Sequence, residues 1–245
     1  MKRDEIYATG DEDDPPFRFN DAVAEVFPDM LRRSIPGYAA SLEAIGSLAA
    51  RYVKAGTNCY DLGCSLGAAT LAMRQGIRAP DCRIIAIDNS EAMIKRCEKV
   101  ITNAEEPGIV PTPIDFRLDD IRDACITNAS MVVMNYTLQF LSLEDRSAML
   151  ARIFDGLISG GLFLLSEKVI DDDPHMEELL VDLHHEHKRR NNYSKLEISR
   201  KRAALDNVLI PETVADHLER LAAVGFAHSA VWLRYFNFVS IVAIK

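Results

Sequence analysis

Apolar and polar positions along the chain alternate between two periods, and the switches between them mark the elements. Short apolar runs of strand character lie at 58–62, 83–87, about 115–118, 130–136 and 162–166, the last introduced by Gly160-Gly161. Between them, residues 67–76, 90–103 and 143–157 carry apolar positions at helical spacing. Upstream, Phe19-Asn20-Asp21 caps an amphipathic helix with Val23, Val26, Phe27, Met30 and Leu31 on one face and a bend expected at Pro28. Ser34-Ile35-Pro36-Gly37 breaks it before a second helix over 38–53. Near the end, His228 to Phe238 and Val239 to Ile244 are strand-like runs with Asn237 as the turn, which predicts an antiparallel hairpin at a sheet edge. Strand and helix alternating with short loops predicts an α/β fold: a mostly parallel, seven-stranded sheet covered on both faces.

Two segments fall outside this alternation. Residues 1–16 are acidic, carry Pro15-Pro16 and read as a loosely docked arm ahead of one domain spanning 17–245. A polar stretch at about 170–210 is too long for a simple crossover. Leu179, Leu180 and Leu183, then Leu196, Ile198 and Leu205, predict two helices broken at Asn191-Asn192, placed as a lid or partner surface above the strand ends.

The chemistry concentrates where the first strand ends. Asn58 to Leu62 carries Asp61 near its carboxyl end and runs into Gly63, Cys64, Ser65 and Gly67, a glycine turn that opens a helix. The spacing is G-x-x-x-G, without the G-x-G-x-x-G fingerprint that cradles a pyrophosphate. About twenty residues on, the second strand ends in Asp88, followed by an Asn89-Ser90 cap; an acid there can accept both ribose hydroxyls of an adenosine. A glycine turn and an acid without the phosphate fingerprint point to S-adenosylmethionine rather than a dinucleotide. The plain alternative is an ordinary strand–helix turn with a surface Asp. After the third strand, Asp119 and Asp120 stand where an adenine amino group is expected, with Ile121 to cover the ring. After the fourth, Asn135 faces the reacting group. No His or Glu joins Asn135 in that loop, and the N-P-P-Y type tetrad of amino-group methyltransferases is absent, so no general base is evident.

Composition narrows the partners. With 245 residues and 48% hydrophobic content the chain can bury a large core. A net charge of −9 argues against direct nucleic-acid binding and favours a small-molecule substrate. No long apolar run or apolar leader is present, so a cytoplasmic protein off the membrane is expected. The five cysteines form no C-x-x-C pair and read as reduced thiols, Cys64 included. His184, His185 and His187 lack metal-site spacing and read as a solvated helix face, so no metal is expected; Lys188 to Arg190 reads as a polar helix end. Arg200, Lys201 and Arg202 sit in the insertion, where a guanidinium would suit a carboxylate.

From Phe19 onward the chain resembles the carboxy-S-adenosylmethionine synthases, relatives of the S-adenosylmethionine methyltransferases. The resemblance rests on VAEVFPDM, SIPGY, YDLGCSLGAATL, IIAIDNS, IRDACITNASMVVMNYTLQFL, LSEK and YSKLEIS followed by KR. It implies a Rossmann-like methyltransferase fold and a reaction in which S-adenosylmethionine, as substrate, takes a carboxylate from prephenate to give carboxy-S-adenosylmethionine and phenylpyruvate. It further implies ligand contacts from Tyr38, Gly63, Cys64, Ser65, Asp88, Asn89, Asp120, Ile121 and Asn135, with Arg202 as catalytic partner of the new carboxylate. A homodimer is implied too, as is a product passed to a tRNA carboxymethyltransferase that modifies wobble uridine. That chemistry suits a loop without a base: hydroxide lost from prephenate as its ring becomes aromatic can take the methyl proton. Two other readings stand beside it, a small-molecule methyltransferase using the same pocket and a non-catalytic S-adenosylmethionine-binding subunit of a tRNA-modifying complex.

Overall fold

The computed structural model describes residues 2–8, 16–104 and 111–245. Eight helices, α1 (Asp21–Ser34), α2 (Tyr38–Tyr52), α3 (Ala68–Gly76), α4 (Glu91–Asn103), α5 (Leu143–Gly156), α6 (Pro174–Arg190), α7 (Lys195–Leu205) and α8 (Val214–Val224), surround one sheet. Its strands are β1 (Asn58–Leu62), β2 (Arg83–Asp88), β3 (Ile114–Leu118), β4 (Ala129–Asn135), β5 (Leu157–Ile170), β6 (Glu212–Thr213), β7 (His228–Tyr235) and β8 (Phe238–Ile244). The spatial order is β3-β2-β1-β4-β5-β8-β7, with β6 paired to the far end of β5. β8 runs antiparallel between β5 and β7, while the other neighbours are parallel.

Period-two alternation in the central strands sorts their side chains into two cores. Met131 and Val133 of β4 and Leu162 and Leu164 of β5 join Ile45, Ala49 and Met73 from α2 and α3 on one face. Val132, Met134, Phe163 and Leu165 face the other way, against Met149, Leu150 and Ile153 of α5 and Leu221 of α8. At about 1.5–3 kcal/mol for each fully buried large apolar side chain, these layers supply the main driving force of the fold. The strand order switches between β1 and β4, and it is at the carboxyl ends of such a pair that ligands of doubly wound sheets bind.

Three expectations change. β5 begins at Leu157 rather than after the glycines, because Leu157 pairs with Ala129 and a register shift places Gly160-Gly161 inside the strand as a bulge. The sheet has an eighth strand, β6, whose two residues are too few to carry a periodic signal. The amino-terminal arm is docked over residues 2–8. Asp4 is only 1% exposed; its backbone N–H donates to Asp29 Oδ2 at 2.9 Å and its carboxylate accepts from the Tyr193 hydroxyl. Residues 1 and 9–15 of that arm lie outside the described residues. The two insertion helices form as expected, with α7 opened by a Ser194/Glu197 capping box after the break at 191–192. Among the described residues no helix is long and apolar enough to cross a membrane.

Candidate active site

At the tip of β1 the chain turns through Gly63 (φ +79°), Ser65 (φ +50°) and Gly67 (φ +80°). The amides of Gly63 and Cys64 donate to Ile87 O at 2.8 and 2.9 Å, stitching the turn to β2. Both glycines are required by neighbours within the protein. A Cβ on Gly63 would lie 2.4 Å from Thr137 Cγ2, and one on Gly67 would lie 2.6 Å from Cys97 Sγ. The turn is therefore clamped between the loop after β4 and helix α4, and glycine secures that packing.

Asp88, at the tip of β2, holds this turn in place. Its two carboxylate oxygens accept from Ser65 N and Ser90 N, both at 2.9 Å, and burial raises its pKa. Asn89 beside it is exposed. Below the turn, Asp61 is 1% exposed and accepts from the Thr70 hydroxyl; burial pushes its carboxyl up to about 6. Cys64 is buried toward α4, and its thiol is held far up by its contact with Cys97 first and by burial second, so it is no nucleophile.

Asp120 follows β3, where Asp119 N donates to Asp88 O at 3.1 Å. Its carboxylate is gripped by Arg122 through Nε at 3.0 Å and Nη2 at 2.7 Å, and the Arg122 contact lowers its pKa. Asp120 thus presents its remaining acceptor capacity from a fixed position. Ile121 is buried in the main core and only its edge can meet a ring.

Asn135 ends β4, and its Oδ1 is buried with no hydrogen-bond partner among the described residues. A buried acceptor left unsatisfied costs about 1–3 kcal/mol, so its natural complement is a donor on a ligand. The next residue, Tyr136, sits at φ +63°, a conformation unusual for a side-chain-bearing residue. Its ring lies 6.3 Å from that of Tyr38, at the start of α2, and 6.0 Å from that of Phe238. Burial lifts both tyrosine hydroxyls above their ordinary range.

Glu167, fully buried in β5, was not singled out from the sequence although a carboxylate inside the apolar run GGLFLLSEKVI is a signal. It accepts from Leu138 N and Gln139 N, each at 3.0 Å, and so fixes the loop that carries Thr137 against Gly63. Burial pushes Glu167 up to about 8, against the pull of Arg146 and of these amides. Arg146 of α5, 0% exposed, supports the same loop by donating to Leu141 O and Gln139 O, and ties it to Ile210 O and Glu212.

The structure thus gathers Tyr38, Gly63, Cys64, Ser65, Asp88, Asn89, Asp120, Ile121 and Asn135 at the carboxyl ends of β1 to β4. Arg202 stands apart, exposed on α7, within electrostatic reach of Lys168, His185 and Lys188. The solvated face expected for His184 and the polar helix end expected at Lys188 are both wrong. His184, Lys188 and, on α7, Lys201 are 6%, 9% and 7% exposed, because α6 packs against α1, α7 and Phe238 of β8. His184 Nε2 lies 2.8 Å from Ser34 O and its ring packs on Phe238 at 4.8 Å.

The partly buried Asp88 carboxylate at the tip of β2 and the orphan acceptor at Asn135 Oδ1 present acceptors at the strand tips, an arrangement compatible with a nucleoside such as the sulfonium S-adenosylmethionine. The fold is that of the S-adenosylmethionine-dependent methyltransferases. A sequence profile described as a methyltransferase domain matches residues 60–161. The fold matches human N-acetylserotonin methyltransferase in complex with SAM (TM-score 0.60, 18% identity, 92% of this chain and 55% of that one) and the magnesium protoporphyrin IX methyltransferase of Synechocystis PCC 6803 with bound SAH (TM-score 0.60, 14% identity, 88% and 87%). Similarity over the full chain is more specific. It is 50% identical over 244 residues to the carboxy-S-adenosyl-L-methionine synthase of Trichlorobacter lovleyi, covering 100% of this chain and 99% of that protein. With the synthase of the same name from Vibrio campbellii the identity is 55% over 229 residues, 94% and 92% of the two. The chain belongs to the carboxy-S-adenosyl-L-methionine synthase family.

Proposed function

We propose that this protein converts S-adenosylmethionine and prephenate to carboxy-S-adenosylmethionine and phenylpyruvate. The observation that carries the reading is the 50–55% identity, over 94% of the chain or more, to proteins named for that product. In this reading Asp88 would offer its remaining acceptor capacity to the ribose, Asp120 and Ile121 would meet the adenine, and the orphan Asn135 oxygen and the Tyr38–Tyr136 pair would line the space around the reacting carbon.

Neither the 136–142 loop nor the glycine turn carries an exposed His, Glu or Lys to act as base. In the proposed reaction prephenate loses carbon dioxide and hydroxide as its ring becomes aromatic, and the hydroxide takes a proton from the sulfonium methyl to leave as water. The methyl carbon then bonds to carbon dioxide, and Arg202 meets the new carboxylate. The protein's share is to align the two substrates, to exclude water and to compensate the developing charge. Release of phenylpyruvate that requires S-adenosylmethionine tests this; release without it, or none at all, refutes it.

Exposed apolar side chains on the insertion and beside it (Met176, Leu179, Leu196 and Tyr235) support a homodimer, with Arg202 close to that surface. The product's use as carboxymethyl donor to tRNA wobble uridine, and with it a cytoplasmic place of action, belongs to the same proposal.

A further inference from the structure

Two ammonium groups under the insertion have no hydrogen-bond or ion-pair partner among the described residues. Lys188 of α6 is 9% exposed and Lys168 of β5 is half-buried; among the described residues the side chain of neither donates a hydrogen bond or lies within 4 Å of a carboxylate. Their neighbour Lys201 shows the contrast, since it donates to Ser34 Oγ at 3.2 Å and faces Asp4 at 3.8 Å. Two like charges are thus kept together with neither one paired, an arrangement that an anion between them would relieve.

Their placement ties them to the active site. Lys168 stands directly opposite Phe238 across the β5–β8 ladder, so the two side chains share a face. On Phe238 pack both the Tyr136 ring, at 6.0 Å, and the His184 ring, at 4.8 Å. Lys188 lies one turn beyond His184 on the same side of α6. The Tyr136–Phe238–His184 ring contacts therefore run from the loop after β4 to the two lysines, and Arg202 of α7 lies within electrostatic reach of both. Around Lys188 stand Lys201 and Arg202 from α7, Lys168 from β5 and His184 from its own helix, and only Glu177 opposes the charge at Lys168. Burial, then Lys201, Lys168 and Arg202, press the Lys188 pKa down to about 7, the behaviour of a cation waiting for an anion.

The geometry points to a carboxylate-binding subsite formed by Lys168 and Lys188, which holds the 2-oxo-acid carboxylate that remains on the second substrate while Arg202 meets the one that migrates. It rests on the prephenate reading and deepens it, because a dicarboxylate needs a cation for the group that stays as well as for the group that moves. The lysines are specificity residues for a 2-oxo dicarboxylate, and they make no contact with the nucleoside.

The test replaces each lysine in the full-length protein, Lys188→Met and Lys168→Met, with Lys188→Arg as the charge-conserving control. Loss of one charged hydrogen bond predicts a KM for prephenate raised roughly ten- to a hundredfold. The Kd for S-adenosylmethionine should stay within about twofold of the parent's, since only the second substrate's anchor is lost. Lys188→Arg should recover much of the loss, and calorimetric binding of phenylpyruvate to the S-adenosylmethionine-loaded protein should weaken in parallel. An unchanged prephenate KM and phenylpyruvate affinity in both Met variants overturns the subsite, as does an equal loss of S-adenosylmethionine binding. If the parent protein binds phenylpyruvate through Lys188 but makes no carboxylated nucleoside, the subsite stands and the proposed reaction falls. If the parent binds no phenylpyruvate, the subsite falls whatever the reaction.

Discussion

Replacing Gly63 by alanine tests the clamp on which the site is built. Gly63 sits at φ +79°, where a side chain costs about 1–2 kcal/mol. The added Cβ would also stand 2.4 Å from Thr137 Cγ2, 2.5 Å from Thr137 Oγ1 and 3.0 Å from Thr137 Cβ. The threonine has little room to yield, because Glu167 pins the next two amides and Tyr136 is already in a left-handed conformation. Overpacking of this kind costs about 1–3 kcal/mol, for a total of about 2–5 kcal/mol. For a chain of this size that lowers the melting temperature by roughly 4–20 °C, read by circular dichroism. Thr137→Ala removes the two closest atoms. In the double variant it should return about 1–3 kcal/mol, the overpacking share, and leave the backbone strain, so a double-mutant cycle in urea separates the two. A Gly63→Ala protein that melts with the parent, or a cycle with no interaction energy, refutes the reasoning.

Four further outcomes are expected. Asp88→Asn keeps one acceptor and loses the other, together with the charge, so affinity for S-adenosylmethionine should fall about ten- to a hundredfold by calorimetry while the melting temperature falls only modestly. Glu167 is raised in the folded protein to about 8, so between its unfolded value near 4.5 and about 8 the native state holds a proton that the unfolded chain has lost. Stability contributed there is present at low pH and lost as pH rises, and Glu167→Gln should flatten that slope in urea titrations at pH 5 to 8. Asp4→Ala strips Lys201 and Tyr193 of their buried acceptor and should destabilise by about 2–4 kcal/mol in chemical denaturation, where an undocked amino terminus would leave stability unchanged. With Lys188 held near pH 7 among Lys168, Lys201, Arg202 and His184, the prephenate KM should climb as pH passes upward through that value, and the dependence should weaken in Lys188→Met.

Much of the fold could be read from the chain because the central strands are short, fully apolar and separated by capped helices. Residues 58–62 form a strand with the bounds the pattern gives, and the helix expected at 38–53 ends one residue earlier, at Tyr52. The β5 boundary was not legible, since a bulge keeps two glycines inside a strand that local preference would start after them. The glycine turn was legible as a turn, but its reason was not. The partners that demand Gly63 and Gly67, Thr137 and Cys97, are 74 and 30 residues away in sequence and adjacent only in space. The same limit hid the polar framework: Arg146 reaches Ile210, Glu167 reaches Leu138, and Asp4 reaches Tyr193. Charged residues that look solvated on a helix wheel, Lys188 and Lys201 above all, are buried because helices that a wheel treats in isolation pack against one another.

Mass spectrometry of the nucleoside tests the central claim most directly. Purified protein is incubated with S-adenosylmethionine, with and without prephenate labelled in its ring carboxylate. A sulfonium heavier by one labelled carboxyl group, formed only when prephenate is present, is the predicted result. S-adenosylhomocysteine as the product, or a nucleoside that leaves unchanged in both arms, contradicts the account.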